Sequence, residues 1–295
     1  MNIRELFERK NLVFSFEIFP PKAISTVETI YSTLEELKEL TPDFISVTYG
    51  AGGSLTKNRT CELSSLVKSK YGIESLAHLT CISSTKEEIN CILKDLENAG
   101  IENILALRGD MPSTDFLQGD FNYSSELISH IKEKGNFNVV GACYPEGHVD
   151  SKDLESEILN LKLKEESGAS HFISQLFFDN NYFYDFLDKK EKYNINVPIQ
   201  AGIMPVINKK QIERITSLCG VNIPSKFLKI MNKYEHDKDA LRDAGIAYAI
   251  EQMVDLISSG VDGIHLYTMN NPYVAKRING SISSILNSVN NGNAI

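Results

Sequence analysis

The sequence predicts a single (β/α)8 TIM barrel, and three observations predict it. Eight times along the chain a short apolar or alternating run is followed by a longer run with helical spacing. Glycines stand just past the helical runs, at Gly100, Gly168, Gly220 and Gly260, where a left-handed residue closes a helix. Polar residues gather where the predicted strands end, which in a closed barrel is one face. Eight units in 295 residues match the length of that fold, and no low-complexity linker or shift in composition divides the chain.

The first strand is the element the rest is organised around. Phe14, Phe16 and Ile18 alternate with Ser15 and Glu17, the period of a strand with one face under helices. Pro20 and Pro21 stop it, because proline has no N–H to give to a ladder. Its other face carries Glu17 at the last turn, where a charge needs a partner, water or a proton. A salt-bridged strand end and a working carboxylate read alike on this stretch alone. The strands are expected at Val13–Ile18, Phe44–Tyr49, Ser75–Thr80, Ile104–Arg108, Val139–Tyr144, Phe172–Phe177, Pro198–Ile203 and Gly263–Thr268. Helices are expected at Val27–Leu40, Lys57–Tyr71, Lys86–Ala99, Ser125–Lys134, Leu154–Ser167, Lys209–Cys219 and Asp239–Ser259. Ser25 with Glu28 and Thr85 with Glu88 fit capping boxes, and Asn208 with Gln211 resembles one. Met1 to Lys10 reads as a short amphipathic helix and not a signal peptide; the Asn- and Gly-rich tail from about Ser288 is expected to fray.

Composition narrows the function classes. Hydrophobic content of 42% supports a full core, and a net charge of −9 argues against a nucleic-acid or anionic-membrane surface. Cys61, Cys81, Cys91, Cys143 and Cys219 are odd in number with no C-x-x-C pair, which reads as reduced thiols of a cytoplasmic protein. No apolar run approaches the length of a membrane span.

Seven strands place a polar residue at the same level: Glu17, Thr48, His78, Arg108-Gly109-Asp110, Tyr144 followed by His148, Gln175, and Tyr267 followed by Asn270. A lone histidine such as His78 is more often a satisfied core residue, but the set as a whole points to a functional site. Gly50-Ala51-Gly52-Gly53-Ser54 fails the G-x-G-x-x-G test at Leu55 and reads as a tight βα turn that lets a flat ligand approach. Glu157, Asn160 and Lys164 share a helix face at i, i+3 and i+7; a solvated face has the same spacing. His78, His148, His171 and His265 have no close ligand spacing, so no metal is expected.

Eight segments in order resemble methylenetetrahydrofolate reductase of the bacterial single-domain type. They are Phe16-Glu17-Ile18-Phe19-Pro20-Pro21, Ser46-Val47-Thr48-Tyr49-Gly50-Ala51, His78-Leu79-Thr80-Cys81, Leu107-Arg108-Gly109-Asp110, Gly141-Ala142-Cys143-Tyr144-Pro145-Glu146, Gln175-Leu176-Phe177-Phe178-Asp179, Gly202-Ile203-Met204-Pro205-Val206 and His265-Leu266-Tyr267-Thr268-Met269-Asn270. The resemblance implies an FAD enzyme that takes hydride from NADH or NADPH and passes it to 5,10-methylenetetrahydrofolate at the barrel's C-terminal face. It implies Glu17 as general acid and Asp110 as the carboxylate near flavin and pterin. Thr48, Tyr49, Ala51, His78, Arg108, Gly109, Asp110, Tyr123, Tyr144 and His148 should line the flavin. Glu157, Asn160 and Lys164 should hold its ribityl, phosphate or adenosine end. Glu17, Thr48, Asp110, Gln175, Gln211, Tyr267 and Asn271 make up the expected substrate side, and a homo-oligomer is expected.

Ring opening of the folate needs a proton on the leaving amine nitrogen, and a partly desolvated glutamate can keep one near neutral pH. A carboxylate such as Asp110 would stabilise the iminium left behind. This chain departs from the family at Asn271, where an arginine is common, with Lys276 or Arg277 as substitutes or surface charges. Ile215 stands where relatives have an aromatic, Leu163 where they have a base, and Glu157 where they have an aspartate. Two other readings remain at this level: a different barrel enzyme, such as a metal-dependent aldolase or a pterin-binding methyltransferase, and a flavin subunit fed by a protein partner.

Overall fold

The protein, a computed structural model, is described here over residues 1–20, 27–49, 54–110, 119–151 and 153–292, without the side chains of 27, 28, 54–58 and 211. In chain order the elements are α1 (Arg4–Arg9), β1 (Val13–Ile18), α2 (Val27–Lys38), β2 (Phe44–Val47), α3 (Ser54–Ser69), β3 (Glu74–Thr80), α4 (Lys86–Asn98), β4 (Asn103–Leu107), α5 (Ser124–Lys134), β5 (Asn138–Cys143), α6 (Leu154–Glu166), β6 (Phe172–Ser174), α7 (Asn180–Lys192), β7 (Ile199–Ile203), α8 (Lys209–Cys219), α9 (Ser225–Tyr234), α10 (Lys238–Ser258), β8 (Gly263–Tyr267) and α11 (Pro272–Asn290). The strands run parallel and close into a barrel in sequence order, β8 pairing back onto β1.

Alternation along each strand builds two different layers. Phe14, Phe16 and Ile18 of β1 join Ile45, Val47, Leu79 and Ile104 in the outer core beneath the helices. The intervening residues point into the barrel. At its lower end Val13, Phe44, Leu76, Leu105, Val140 and Ile173 form an apolar layer, closed from below by Ile3 and Leu6 at α1. The Ile3 N–H donates to Asn103 Oδ1 at 2.9 Å, which seats α1 on the barrel floor. Phe16 is fully buried, and truncating such a side chain to alanine costs about 3–5 kcal/mol. A second, smaller core (Phe178, Met204, Val206, Ile212, Phe227 and Met231) carries α8 and α9 beside the mouth.

The glycines expected at helix ends have positive φ, with Gly100 at 72°, Gly168 at 111°, Gly220 at 70° and Gly260 at 80°. Thr85 and Glu88 form the expected capping box of α4. The box expected at Ser25 and Glu28, and the Gln211 half of the one at Asn208, lie outside the described residues or side chains. Strands expected to run to Tyr49 and Phe177 leave the ladder at Val47 and Ser174. The chain stays bonded for one more residue, Thr48 N–H to Ile18 O at 3.1 Å and Gln175 N–H to Cys143 O at 2.7 Å, and then turns into the loops.

Three helices lie outside the ranges given above: α7 and α11, which the eight strand-then-helix units require after β6 and β8 without bounding them, and α9, an extra helix between β7 and β8. Aromatic residues and Asn180-Asn181 disguise α7, which Asp179 starts by accepting from the Asn181 N–H. The fraying expected from about Ser288 is corrected as far as Asn290, where α11 ends; residues 293–295 lie outside the described residues. Asn290 Oδ1 accepts from the Leu12 N–H at 2.9 Å and its Nδ2 donates to Leu12 O at 3.0 Å, so the tail is tied to the start of β1. Among the described residues no helix is long and apolar enough to cross a membrane.

Candidate active site at the barrel mouth

Above the apolar floor the barrel interior turns polar. In register, Glu17 of β1 lies beside Ser46 of β2 and Tyr267 of β8, and Ser15 lies beside His265. Glu17 is 6% exposed, deeper than a partly desolvated mouth position. Around its Oε2 stand Ser46 Oγ at 3.4 Å, His78 Nε2 at 3.5 Å and His265 Nε2 at 3.6 Å. His265 Nε2 is also 3.2 Å from Ser46 Oγ, and its Nδ1 is 2.7 Å from Ser15 Oγ. Burial pushes His78 down to about 4, so it faces Glu17 as a neutral ring, and its Nε2 has no hydrogen-bond partner among the described residues. The strand end bearing Glu17 is clamped from β8 and the loop after it. Thr268 Oγ1 donates to Glu17 O at 2.6 Å, and Asn270 exchanges bonds with the backbone of Phe19, both at 2.8 Å.

Beside this column, at the ends of β4 and β5, opens a cavity of about 500 Å³ lined by Arg108, Tyr123, Tyr144, His148, Asp150, Glu157, Asn160 and Lys164, with Leu163 on its wall. The face of α6 that spacing alone could give to solvent is split: Glu157 is 2% and Lys164 8% exposed, while Asn160 between them is exposed on the cavity lining. Lys164 Nζ donates to Ala142 O at 2.9 Å and lies 5.5 Å from the centre of the Tyr144 ring. Burial lowers its pKa, while Glu157 nearby opposes that shift. One Glu157 oxygen accepts from Ser151 Oγ at 2.8 Å; the other is 3.9 Å from Lys164 Nζ and has no hydrogen-bond partner among the described residues. Arg108 donates to Asp150 Oδ2 at 2.6 Å, and that bond lowers the Asp150 pKa. Burial, then the Arg108 charge, lowers that of His148, whose ring meets Tyr144 edge-on at 4.7 Å.

Other predicted residues fall around these two regions. Gly109 has φ of 91° and turns the chain so that Asp110 is exposed at the mouth. Gln175 folds back, its Oε1 accepting from the Leu176 N–H at 2.9 Å. The Tyr267 hydroxyl donates to Ser174 O at 2.7 Å. Thr48 is half-buried above Ser46, whereas the Tyr49 ring packs on the outer core, apart from the cavity lining. Asn271 caps α11 by accepting from the Val274 N–H. Lys276 pairs with Glu36 and Glu39, and Arg277 donates to the Tyr273 hydroxyl, so both are engaged on the surface. Ala51 and the Gln211 side chain lie outside the description. Ser46, Gln200 and His265 are not among the site residues expected from the sequence, although Ser46 and His265 lie in segments that carry the resemblance. Their signal was the inward register they share with Glu17.

A family model described as methylenetetrahydrofolate reductase matches residues 2–283. The chain is 35% identical over 269 residues to a 5,10-methylenetetrahydrofolate reductase of Pectobacterium carotovorum, covering 91% of this chain and 89% of that one. It is 35% identical over 256 residues to the Escherichia coli 5,10-methylenetetrahydrofolate reductase, covering 87% and 86%. In fold it is similar to a solved protein from Clostridium thermocellum described as binding two copies of 5-methyl-5,6,7,8-tetrahydrofolic acid, with TM-score 0.68 at 15% identity, covering 97% of this chain and 99% of that one.

Proposed function

The chain belongs to the methylenetetrahydrofolate reductase family, and from that premise we propose that it reduces 5,10-methylenetetrahydrofolate to 5-methyltetrahydrofolate with NADH or NADPH, through FAD. The observation that carries the reading is a carboxyl buried inside the barrel, ringed by a hydroxyl and two imidazoles, beside a large cavity with a charged wall. The cavity's donor set fits a flavin dinucleotide. The unpartnered oxygen of Glu157 suits a sugar hydroxyl, Asn160 can give and accept, and Lys164 and Arg108 supply cations for phosphate. When bound, the flavin would supply the redox chemistry, taking hydride from the nicotinamide and giving it to the folate.

The chain's own part is binding, orientation and proton traffic. Glu17, sheltered from bulk water, gives the proton to the amine nitrogen that leaves as the folate ring opens. Asp110, exposed at the rim, faces the cation formed by that opening and stabilises it by charge. Tyr144 and His148, packed edge to face, form a rigid side of the cavity. All five cysteines are free thiols, which suits a reducing cytoplasm. The test is the visible spectrum of the pure protein before and after anaerobic NADH, with the heat-released cofactor identified by chromatography. A yellow protein that bleaches and releases FAD is the expected result; a colourless one, or FMN alone, removes the reading.

A further inference from the structure

We propose that Gln200 is a positioning residue for the proton step: through Ser15 it fixes which nitrogen of His265 carries the proton, so that the whole interior chain donates toward Glu17. The inference rests on the reading of Glu17 as proton donor.

Gln200 sits on β7, fully buried in the barrel. Its Nε2 is 3.0 Å from Ser15 Oγ, 3.4 Å from Ile264 O and 3.5 Å from Val13 O. Two of these neighbours are carbonyl oxygens, which only accept, so the amide presents its NH2 on this side. Its Oε1 is left without a hydrogen-bond partner among the described residues, a cost the fold keeps. Gly263 makes room for this arrangement: a Cβ there would lie 2.6 Å from Val13 O and 2.9 Å from Gln200 Cγ.

Ser15 Oγ, accepting from Gln200, has its own proton to place, and the remaining neighbour is His265 Nδ1 at 2.7 Å. Were Nδ1 protonated, two donors would face Ser15 and its hydroxyl hydrogen would have no acceptor among those contacts. The His265 proton therefore lies on Nε2, toward Ser46 Oγ at 3.2 Å, and Ser46 donates to Glu17 Oε2 at 3.4 Å. Donation runs one way, from Gln200 through Ser15, His265 and Ser46 to Glu17.

That direction stabilises the carboxylate formed when the Glu17 O–H bond breaks, the proton joins the folate nitrogen and the ring C–N bond leaves its electron pair there. The chain moves no net proton; it settles the charge. The other titratable groups facing this region are His78 from β3, Tyr267 from β8 and, beside His265, His171 just before β6. Burial holds His78 and His171 down, to about 4 and about 3, so neither competes as a cation near neutral pH.

Nitrogen NMR of the holoenzyme with 15N-labelled histidine, assigned with His265→Gln, reads the tautomer directly. The expected wild-type state is protonated at Nε2; protonation at Nδ1 overturns the inference. Gln200→Met should shift His265 toward the Nδ1–H form and slow flavin reoxidation by methylenetetrahydrofolate about three- to tenfold, the worth of one hydrogen bond. It should also move the alkaline limb of that half-reaction to higher pH, because a less stabilised carboxylate holds its proton longer. Flavin reduction by NADH should not change. Packing damage alone would lower the rate without moving the limb or the tautomer, and that result overturns the assignment. Gln200→Leu should give the same two shifts if Gln200→Met does not fold. An intact folate half-reaction in Glu17→Gln removes the reading of Glu17 itself; an Nδ1–H tautomer in the wild type removes only the role of Gln200.

Discussion

The column inside the barrel and the cavity beside it are both polar, yet they handle charge in opposite ways. In the cavity, opposite charges are set side by side: Arg108 is bonded to Asp150, and Lys164 lies 3.9 Å from Glu157. In the column the rings are kept neutral where burial acts on them, as at His78, and the groups around Glu17 stand off at 3.4 to 3.6 Å. A region built to hold a charged ligand keeps its ions ready. A region built to move one proton keeps its neighbours uncharged and leaves room for contacts to tighten as charge forms.

The sharpest way to break this contrast is Glu17→Gln. It keeps shape and cannot give a proton, so flavin reoxidation by methylenetetrahydrofolate should fall roughly 10²–10⁴-fold while reduction by NADH stays within about threefold. Stopped-flow absorbance separates the halves. Equal damage to both would mean that the column is structural and the contrast false.

Lys164→Ala probes the other side. Loss of a charge-assisted contact should weaken FAD binding by about 1.5–3 kcal/mol, roughly 10- to 150-fold in Kd, measured by ultrafiltration or fluorescence. An unchanged Kd would leave Lys164 bonded only to Ala142 O, with no part in the ligand.

The neutral rings give a pH signature of stability. His78 and His171 lie below 6.5 in the fold, near 4 and 3, so unfolding takes up protons as the pH falls through 6.5. Stability they contribute at pH 7 is lost on acidification, on the order of 2 kcal/mol each by pH 5. A Tm that holds steady from pH 7 to 5 would mean the rings are charged or hydrated after all. The smallest effect is at the rim. Asp150 is more than half exposed, and Asp150→Asn frees Arg108 at the loss of a weak surface pair, so FAD should bind up to about fivefold tighter. Weaker binding would place Asp150 among the ligand's own contacts.

The direction of Glu17 was legible in the sequence, because Phe14, Phe16 and Ile18 claim the outer face and leave the inner one to Ser15 and Glu17. The same alternation explains Tyr49, which follows an inward Thr48 and turns out to the helices. The rest of the column was not legible. Gln200 reaches Ser15 across 185 positions and Ser46 reaches His265 across 219, and no local spacing encodes such pairs. The face of α6 was visible but ambiguous, since spacing cannot tell a buried wall from a wet one. The tail misled because asparagine, a turn and loop residue by habit, here makes long-range bonds to Leu12.

The apolar floor has a kinetic consequence. Val13, Phe44, Leu76, Leu105, Val140 and Ile173 carry no group that can pass a proton, and α1 closes the opening beneath them. His171, set among them against Phe7 of α1, is held uncharged by burial, so the mouth is the open way to Glu17. On the proposed reading of Glu17 as the acid, its proton is replaced through the opening that also admits the substrates, so a seated folate would seal off its resupply. Recharging the acid belongs to the interval between ligands. At high turnover in heavy water that interval should show the isotope effect, and hydride transfer to an already seated folate should show less of it.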